Sequence, residues 1–382
     1  MDELGRNHPL RRLRALRLMS RLLTEQAPLP SFSDTDLADV VVIAAEERLS
    51  ATVALALDRH ALLDRISDSS AHQLRWARRH VALSQLRFEH QLTDALKRLE
   101  AATIPTAVLK GGALLVDAPS QPLSLDDRQM VAAREMSDID LLVAPTDHLR
   151  AQEILAEAGY HSVTGSPVAE LEPDHATTMV AAKLPGPLDL HRALGMAAGA
   201  ELMPVEELMS RATPARIGSA SCLVLAPGDA LVHTIWHAQM QNANYRYRIL
   251  PTRQLHSCAL FLRAVGSERW PEVRERYDRA GFSDILDAQA EQLRYLFGIE
   301  LGRANSPRRA RRHLRSCLAS FALAGVADAR RNLAFAFAPD YLRIRYGNVP
   351  LPAARVRHLG TLLTRPLADS VDKTFRTNGI GR

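Results

Sequence analysis

The chain has 382 residues, 47% of them hydrophobic and 24% charged, which is enough apolar material to bury a real core and sets disordered and fibrous classes aside. That length fits two or three domains. No run of about 18 apolar residues occurs, and the opening stretch MDELGRNHPLRRLRALRLMS lacks the apolar segment and small-residue cleavage site of a secretory signal. The expected location is therefore cytoplasmic, without stable membrane insertion.

The net charge is +5, and lysine occurs only as Lys97, Lys110, Lys183 and Lys373, so 44 of the 48 basic residues are arginine. This mild basic balance favours anionic partners such as nucleotides, with nucleic acid a weaker expectation. The spacing of Cys222, Cys258 and Cys317 matches neither a zinc site nor a disulfide framework, so they are read as buried thiols.

Residues 1–100 read as a helical region, because apolar residues recur every three or four positions in LRALRLMSRLL, DLADVVVIAAEERLSATVALAL and HQLRWARRHVALSQLRFEHQLTDALKRLE. Ser33 or Asp34 is a cap for one of these helices. The first of them is amphipathic and basic; packing on the core is preferred over a membrane-surface role.

At Ile104-Pro105 the pattern changes, and IPTAVLKGGALLV predicts strand, tight turn, helix. A loop over about 118–136 follows, then the strand DIDLLV, a helix over TDHLRAQEILAEAGY, and strands in TTMVAAKL and PLDLHRAL. From Gly228 the periodicity is helical again. The resulting organisation is α+β: an N-terminal helical region over 1–100, a small mixed sheet with flanking helices over 101–226, a C-terminal helical region over 227–338, and an Arg- and Pro-rich tail over 339–382.

Asp138 and Asp140 stand one residue apart on a predicted strand, so both carboxylates point to the same face. Like charges this close call for cations between them, and hard divalent metals take oxygen ligands. Magnesium is expected, with manganese as the alternative. Asp189, on a strand able to pair beside the first, adds a third carboxylate. Three such ligands suit two-metal phosphoryl transfer. Upstream, Lys110, Gly111 and Gly112 fall between strand and helix, where bare backbone and a helix N-terminus favour phosphate and Lys110 adds charge.

The strings VLKGGALL, REMSDIDLLV and LDLH together resemble the nucleotidyltransferase fold of the DNA polymerase beta superfamily, and within it the bacterial uncharacterised nucleotidyltransferase family. The resemblance implies a fold built on a small mixed sheet, Gly111 and Gly112 at the triphosphate of a nucleoside triphosphate, Asp138 and Asp140 as paired metal ligands, and Asp189 as the third. It also makes Arg134 a phosphate contact. Residues 118–134 are then an insertion relative to compact members. The expected activity is magnesium-dependent transfer of a nucleoside monophosphate to a hydroxyl or phosphate acceptor with release of pyrophosphate. A small molecule, peptide or glycan is preferred over RNA as the acceptor, and a catalytically inactive binding protein or an RNA-end modifier are the rival readings.

Other groups receive plainer readings. His191 shares the face of Asp189 and is placed behind the ligands. His233 and His237 have the spacing of a zinc helix without its glutamate, and are read as core or nucleotide-stacking histidines. Tyr245, Arg246, Tyr247 and Arg248 are read either as a clamp for a nucleotide or acceptor or as structural. Arg303, Arg308, Arg309, Arg311, Arg312 and Arg315 form a solvated helix face or an RNA grip.

Overall fold

The computed structural model describes residues 8–24, 31–162, 176–195, 201–323 and 350–364, with Leu29, Gly199 and Phe337. The chain divides into two compact units, one made of residues 1–163 and 174–323, the other of residues 164–173 and 324–382. In the second unit the described part of the expected tail is a helix, Leu351–Thr364; residues 339–349 and 365–382 lie outside the described residues.

The first unit opens on four helices: α1 (Pro9–Thr24), α2 (Asp34–Glu46), α3 (Ser50–Arg59) and the long α4 (Asp68–Ala101). Ser33 caps α2 through a reciprocal box, its Oγ accepting from the Asp36 amide while its own amide donates to the Asp36 carboxylate at 2.7 Å. Helix α1 buries Leu16, Met19, Leu22 and Leu23, and its arginines are neutralised locally by Arg11–Asp39, Arg12–Glu46 and Arg14–Asp36 pairs. Core packing, the preferred reading of its basic face, is what the fold uses.

A mixed seven-stranded sheet follows, in the order β3-β4-β5-β2-β1-β7-β6. Its strands are β1 (Thr106–Val108), β2 (Ile139–Val143), β3 (His161–Ser162), β4 (Ala176–Val180), β5 (Leu188–His191), β6 (Thr213–Ile217) and β7 (Ala220–Val224). Between them lie α5 (Lys110–Ala113), α6 (Leu125–Ala132), α7 (His148–Glu157) and α8 (Val205–Arg211). Phe88, Leu92 and Leu96 of α4 and Leu155 of α7 pack with Ile139, Leu141, Leu188 and Leu190 in one core.

Three features differ from expectation. The loop expected over 118–136 contains α6, because Ser124 caps it and Met130 and Val131 are buried; Gln85 of α4 then donates to the carbonyls of Val131 and Arg134. The hairpin β6–β7 was absent from the expected strands. Strand β2 begins at Ile139, leaving Asp138 just before it.

The C-terminal helices are α9 (Pro227–Trp236), a π-helical turn (His237–Gln241), α10 (Asn244–Tyr247), α11 (Thr252–Val265), α12 (Trp270–Arg279), α13 (Ser283–Phe297) and α14 (Pro307–Ala322). Although distant in sequence, these helices and α1–α3 share one core, in which Leu16, Leu37 and Val53 join Leu231, Leu260, Leu286 and Leu314. No helix among the described residues is long and apolar enough to cross a membrane. The three cysteines are free and buried, and burial pushes each thiol up to about 12.

Tyr245 stacks on His313 of α14 with ring centroids 4.5 Å apart, and Arg248 bonds the same imidazole. Those two members of the proposed clamp are thus spent on helix packing. On α14, Arg309 pairs with Asp284, while Arg308, Arg311, Arg312 and Arg315 are exposed.

Two buried histidines give the fold an acid-sensitive element. Burial, aided by Arg263 and Arg134, holds His256 of α11 at about 3; burial and Arg248 hold His313 at about 4. Both are neutral when folded but titrate near 6.5 when exposed, so the stability they contribute is full above pH 6.5 and is lost as pH falls toward those folded values. Between pH 6.5 and 4.5 each is expected to cost roughly 2–3 kcal/mol. Urea unfolding across that range measures the slope; His313→Asn should flatten it, and an unchanged slope in that variant would reject the assignment.

Candidate functional site

The site begins where β1 ends. The Leu109 amide donates to the Asp140 carbonyl at 3.0 Å, which ties the turn to β2, and Lys110 then takes a left-handed conformation with φ +49°. Such a φ is uncommon outside glycine and marks a residue held by its surroundings. The conformation goes with a defined side-chain target: Lys110 Nζ lies 2.6 Å from Asp140 Oδ1.

Strands β2 and β5 pair in parallel with Asp140 opposite Asp189, while Ile139 and Leu141 are fully buried. On the far side of β5, antiparallel β4 sets Thr178 opposite Asp189, and its hydroxyl donates to Asp189 Oδ1 at 2.6 Å. His191, two residues beyond Asp189 and so on its face, brings Nε2 to 2.9 Å from Asp140 Oδ1. Ligand atoms of Asp140, Asp189 and His191 all lie within 4.8 Å of one another. Asp138, half-buried, accepts from Ser137 Oγ at 2.9 Å and lines the same cleft as Asp140.

The charges of this cluster are strongly interdependent. Burial works against the Asp140 charge, but Lys110 and His191 outweigh it and hold that carboxyl well below the usual range. Asp189 moves the other way: burial and the neighbouring Asp140 charge push its carboxyl up, against the Thr178 hydrogen bond. Burial also opposes the Lys110 ammonium, which Asp140 more than restores.

The cluster opens onto a cleft of about 240 Å³. One wall carries Lys110, Gly111, Arg134, Asp138 and Asp140; the other carries His233, His237, Arg253 and Ser257 from the C-terminal helices. A side chain at Gly111 would collide with Arg134 Nη1, so this glycine lets the guanidinium lie on the turn. Gly112 is different: a Cβ there would stand 2.8 Å from Val108 Cγ1, and the residue does not line the cleft. Its smallness serves packing. Asp189 is likewise absent from the cleft lining and reaches the site beside Asp140.

Arg134 Nε donates to Ser257 Oγ at 2.9 Å, and that hydroxyl donates to the Arg253 carbonyl at 3.1 Å. Burial and the adjacent Arg253 lower Arg134 to about 10. Burial, with Lys110 and His233, carries His237 well below its ordinary value, so it faces the cleft as a neutral imidazole. The rings of His233 and His237 are 6.3 Å apart and tilted, and neither belongs to the metal-ligating group found among the described residues. Reading the sequence did not find Arg253 or Ser257. They lie in the ordinary first turns of a helix, and nothing local marks them.

A glycine turn beside facing carboxylates on parallel strands, in a mixed sheet walled by helices, is the arrangement expected of a nucleotidyltransferase. Over residues 33–298 the chain matches the family described as uncharacterised nucleotidyltransferase, and it belongs to that family. The matched span runs from α2 through α13 and so includes both walls of the cleft. No curated protein matches the chain.

Proposed function

We propose that the protein moves a nucleoside monophosphate from a nucleoside triphosphate to a hydroxyl or phosphate acceptor, releasing pyrophosphate. The observation that carries this reading is the parallel register of Asp140 with Asp189 beside the Lys110-Gly111 turn. The donors suit a hard divalent cation: Asp140 and Asp189 bring carboxylate oxygens within 4.8 Å of each other and of His191, Asp138 lines the same cleft, and a cation relieves the repulsion between the paired carboxylates. Asp138, Asp140 and Asp189 would hold magnesium or manganese, which when bound supplies Lewis-acid polarisation and neutralises phosphate charge.

The chain's own residues divide the remaining work. Gly111 gives Arg134 its seat over the turn, where the guanidinium can meet a phosphate, while Ser257 fixes the guanidinium plane. His191 and Lys110 orient Asp140. Thr178 orients Asp189, the carboxylate assigned to position the acceptor hydroxyl and receive its proton. The small cleft favours a small molecule, or the end of a peptide or glycan, as acceptor.

One observation supports a second reading, transfer to RNA ends: exposed Arg308, Arg311, Arg312 and Arg315 recur at the spacing of one helix face. Steep loss of RNA affinity with salt, abolished by neutralising these arginines, would favour it.

The deciding assay incubates the protein with magnesium and each labelled ribonucleoside triphosphate, alone and with host lysate. Pyrophosphate release and label transfer are followed beside Asp138→Ala and Asp138→Ala/Asp140→Ala proteins. The single variant is the cleaner control, because losing Asp140 strands the Lys110 ammonium. Turnover that needs magnesium and vanishes in both variants is expected. Aspartate-dependent binding without turnover would replace the reading by that of a nucleotide-binding protein.

A further inference from the structure

The partly buried arginines of this fold are typically matched by acceptors: Arg12 by Glu46, Arg274 by Asp287, Arg276 by Asp229 and the Leu202 carbonyl. Arg253 breaks the pattern. It is half-buried in the wall of the cleft and makes no ion pair or side-chain hydrogen bond among the described residues. Arg134, its neighbour, makes one side-chain hydrogen bond, through Nε to Ser257, which leaves both terminal nitrogens of the guanidinium without an acceptor among those residues. Arg253 is near enough to act against the Arg134 charge, and two half-buried cations in one cleft repel each other unless an anion joins them.

Contacts link these groups in series: Lys110 holds Asp140, Arg134 lies over Gly111, and Ser257 joins Arg134 Nε to the backbone carbonyl of Arg253. The electrostatic influences agree, since Arg134 feels both Asp138 and Asp140, whereas Arg253 feels chiefly Arg48, Glu135 and Asp138. An anion that reaches Arg253 as well as Arg134 therefore extends beyond one resting on the glycine turn alone, over which Arg134 lies. Resting on the nucleotidyl-transfer reading, which sets the reacting phosphate at the aspartates, this is the place of the far end of the triphosphate.

We propose that Arg134 and Arg253 clamp the terminal phosphoryl group of the nucleoside triphosphate, so that the C-terminal helical region selects triphosphate over diphosphate. A terminal phosphate carries about −1.5 to −2 charge at neutral pH, the right order to match two guanidiniums. No bond is made or broken in this step; Arg253 is a specificity-determining residue that holds the group destined to leave as part of pyrophosphate.

The test is equilibrium titration, with magnesium, of the full chain and its Arg253→Gln and Arg253→Lys variants with each ribonucleoside triphosphate and the matching diphosphate. Wild type should prefer the triphosphate. Arg253→Gln should lose about 10- to 100-fold in triphosphate affinity, the worth of hydrogen bonds to a charged group, while diphosphate affinity stays within titration error. Arg253→Lys should recover part of the loss. Equal weakening of both nucleotides, or no weakening because the pair serves an anion on the acceptor, would overturn the clamp and leave nucleotidyl transfer standing. Should Arg253→Gln fail to fold, competition on wild type decides: inorganic tripolyphosphate must displace bound nucleotide better than pyrophosphate, and the reverse order overturns the clamp. If wild type binds no nucleotide at all, the parent reading fails and the clamp with it.

Discussion

The Asp189→Asn protein is expected to melt at a higher temperature than the parent while losing nearly all transfer activity. Asp140, buried, and Asp189, half-buried, face each other across two parallel strands, and the charge of one acts against the other. Asparagine keeps an oxygen to accept the Thr178 hydroxyl but removes the repulsion. The gain should be about 1 kcal/mol, worth ~2 °C in a protein of this size. The loss of rate should be about a thousandfold, since the carboxylate is assigned several kcal/mol of transition-state stabilisation. Added magnesium should raise the melting temperature of wild type and do so less in the variant, because only binding to the folded form shifts the equilibrium. A lowered melting temperature would contradict the repulsion argument, and full retention of activity would remove Asp189 from the site.

The largest effect on stability is expected away from the site, at Asp229. This carboxylate, 1% exposed at the start of α9, accepts Arg211 Nε and Nη2 of α8 at 3.0 Å each and also Arg276 of α12. Arg276 in turn donates to the Leu202 carbonyl at 2.6 Å. One buried charge thus joins three helices, and its place in the first turn of α9 favours a negative group further. Asp229→Ala leaves two guanidiniums without their shared counter-ion, for which about 3–5 kcal/mol is expected. Equilibrium denaturation measures this directly; a loss under about 1 kcal/mol would mean that water replaces the carboxylate at little cost.

Local pattern carries information about the site further than about its surroundings. Alternation along DIDLLV and LDLH tells which residues share a face, and the β-branched and leucine content of both runs marks strands that pair, so the facing of Asp140 and Asp189 was legible. The hairpin β6–β7 turns at Gly218-Ser219, but Pro214 and Arg216 interrupt the first strand, so TPARI carries a weak strand signal. Helix α6 was harder to see, because a polar eight-residue segment has a weak apolar stripe and is held mainly by Gln85 and Thr52 reaching from other helices. Of the second wall of the cleft only His233 and His237 were legible, as core or nucleotide-stacking histidines. Helical periodicity reveals that one side of α11 is buried, yet not which element it meets, and so Arg253 looks like any arginine in a first helical turn.

The shared core of α1–α3 with the C-terminal helices also bears on how the protein is made. During synthesis α1 emerges long before its partner: the carbonyl of Phe321 that receives the Arg12 guanidinium, and the Phe321 ring beneath it, come some three hundred residues later. Contacts so remote in sequence close late, because the loop entropy must be met before they form. A nascent chain paused after β7 would carry the aspartates, Lys110 and Arg134 but neither Arg253 nor the helices that shut the apolar face of α1–α3. Such a chain displays an unfinished phosphate site beside an exposed hydrophobic surface, which makes the interval between β7 and α14 the one in which it most needs shielding from aggregation.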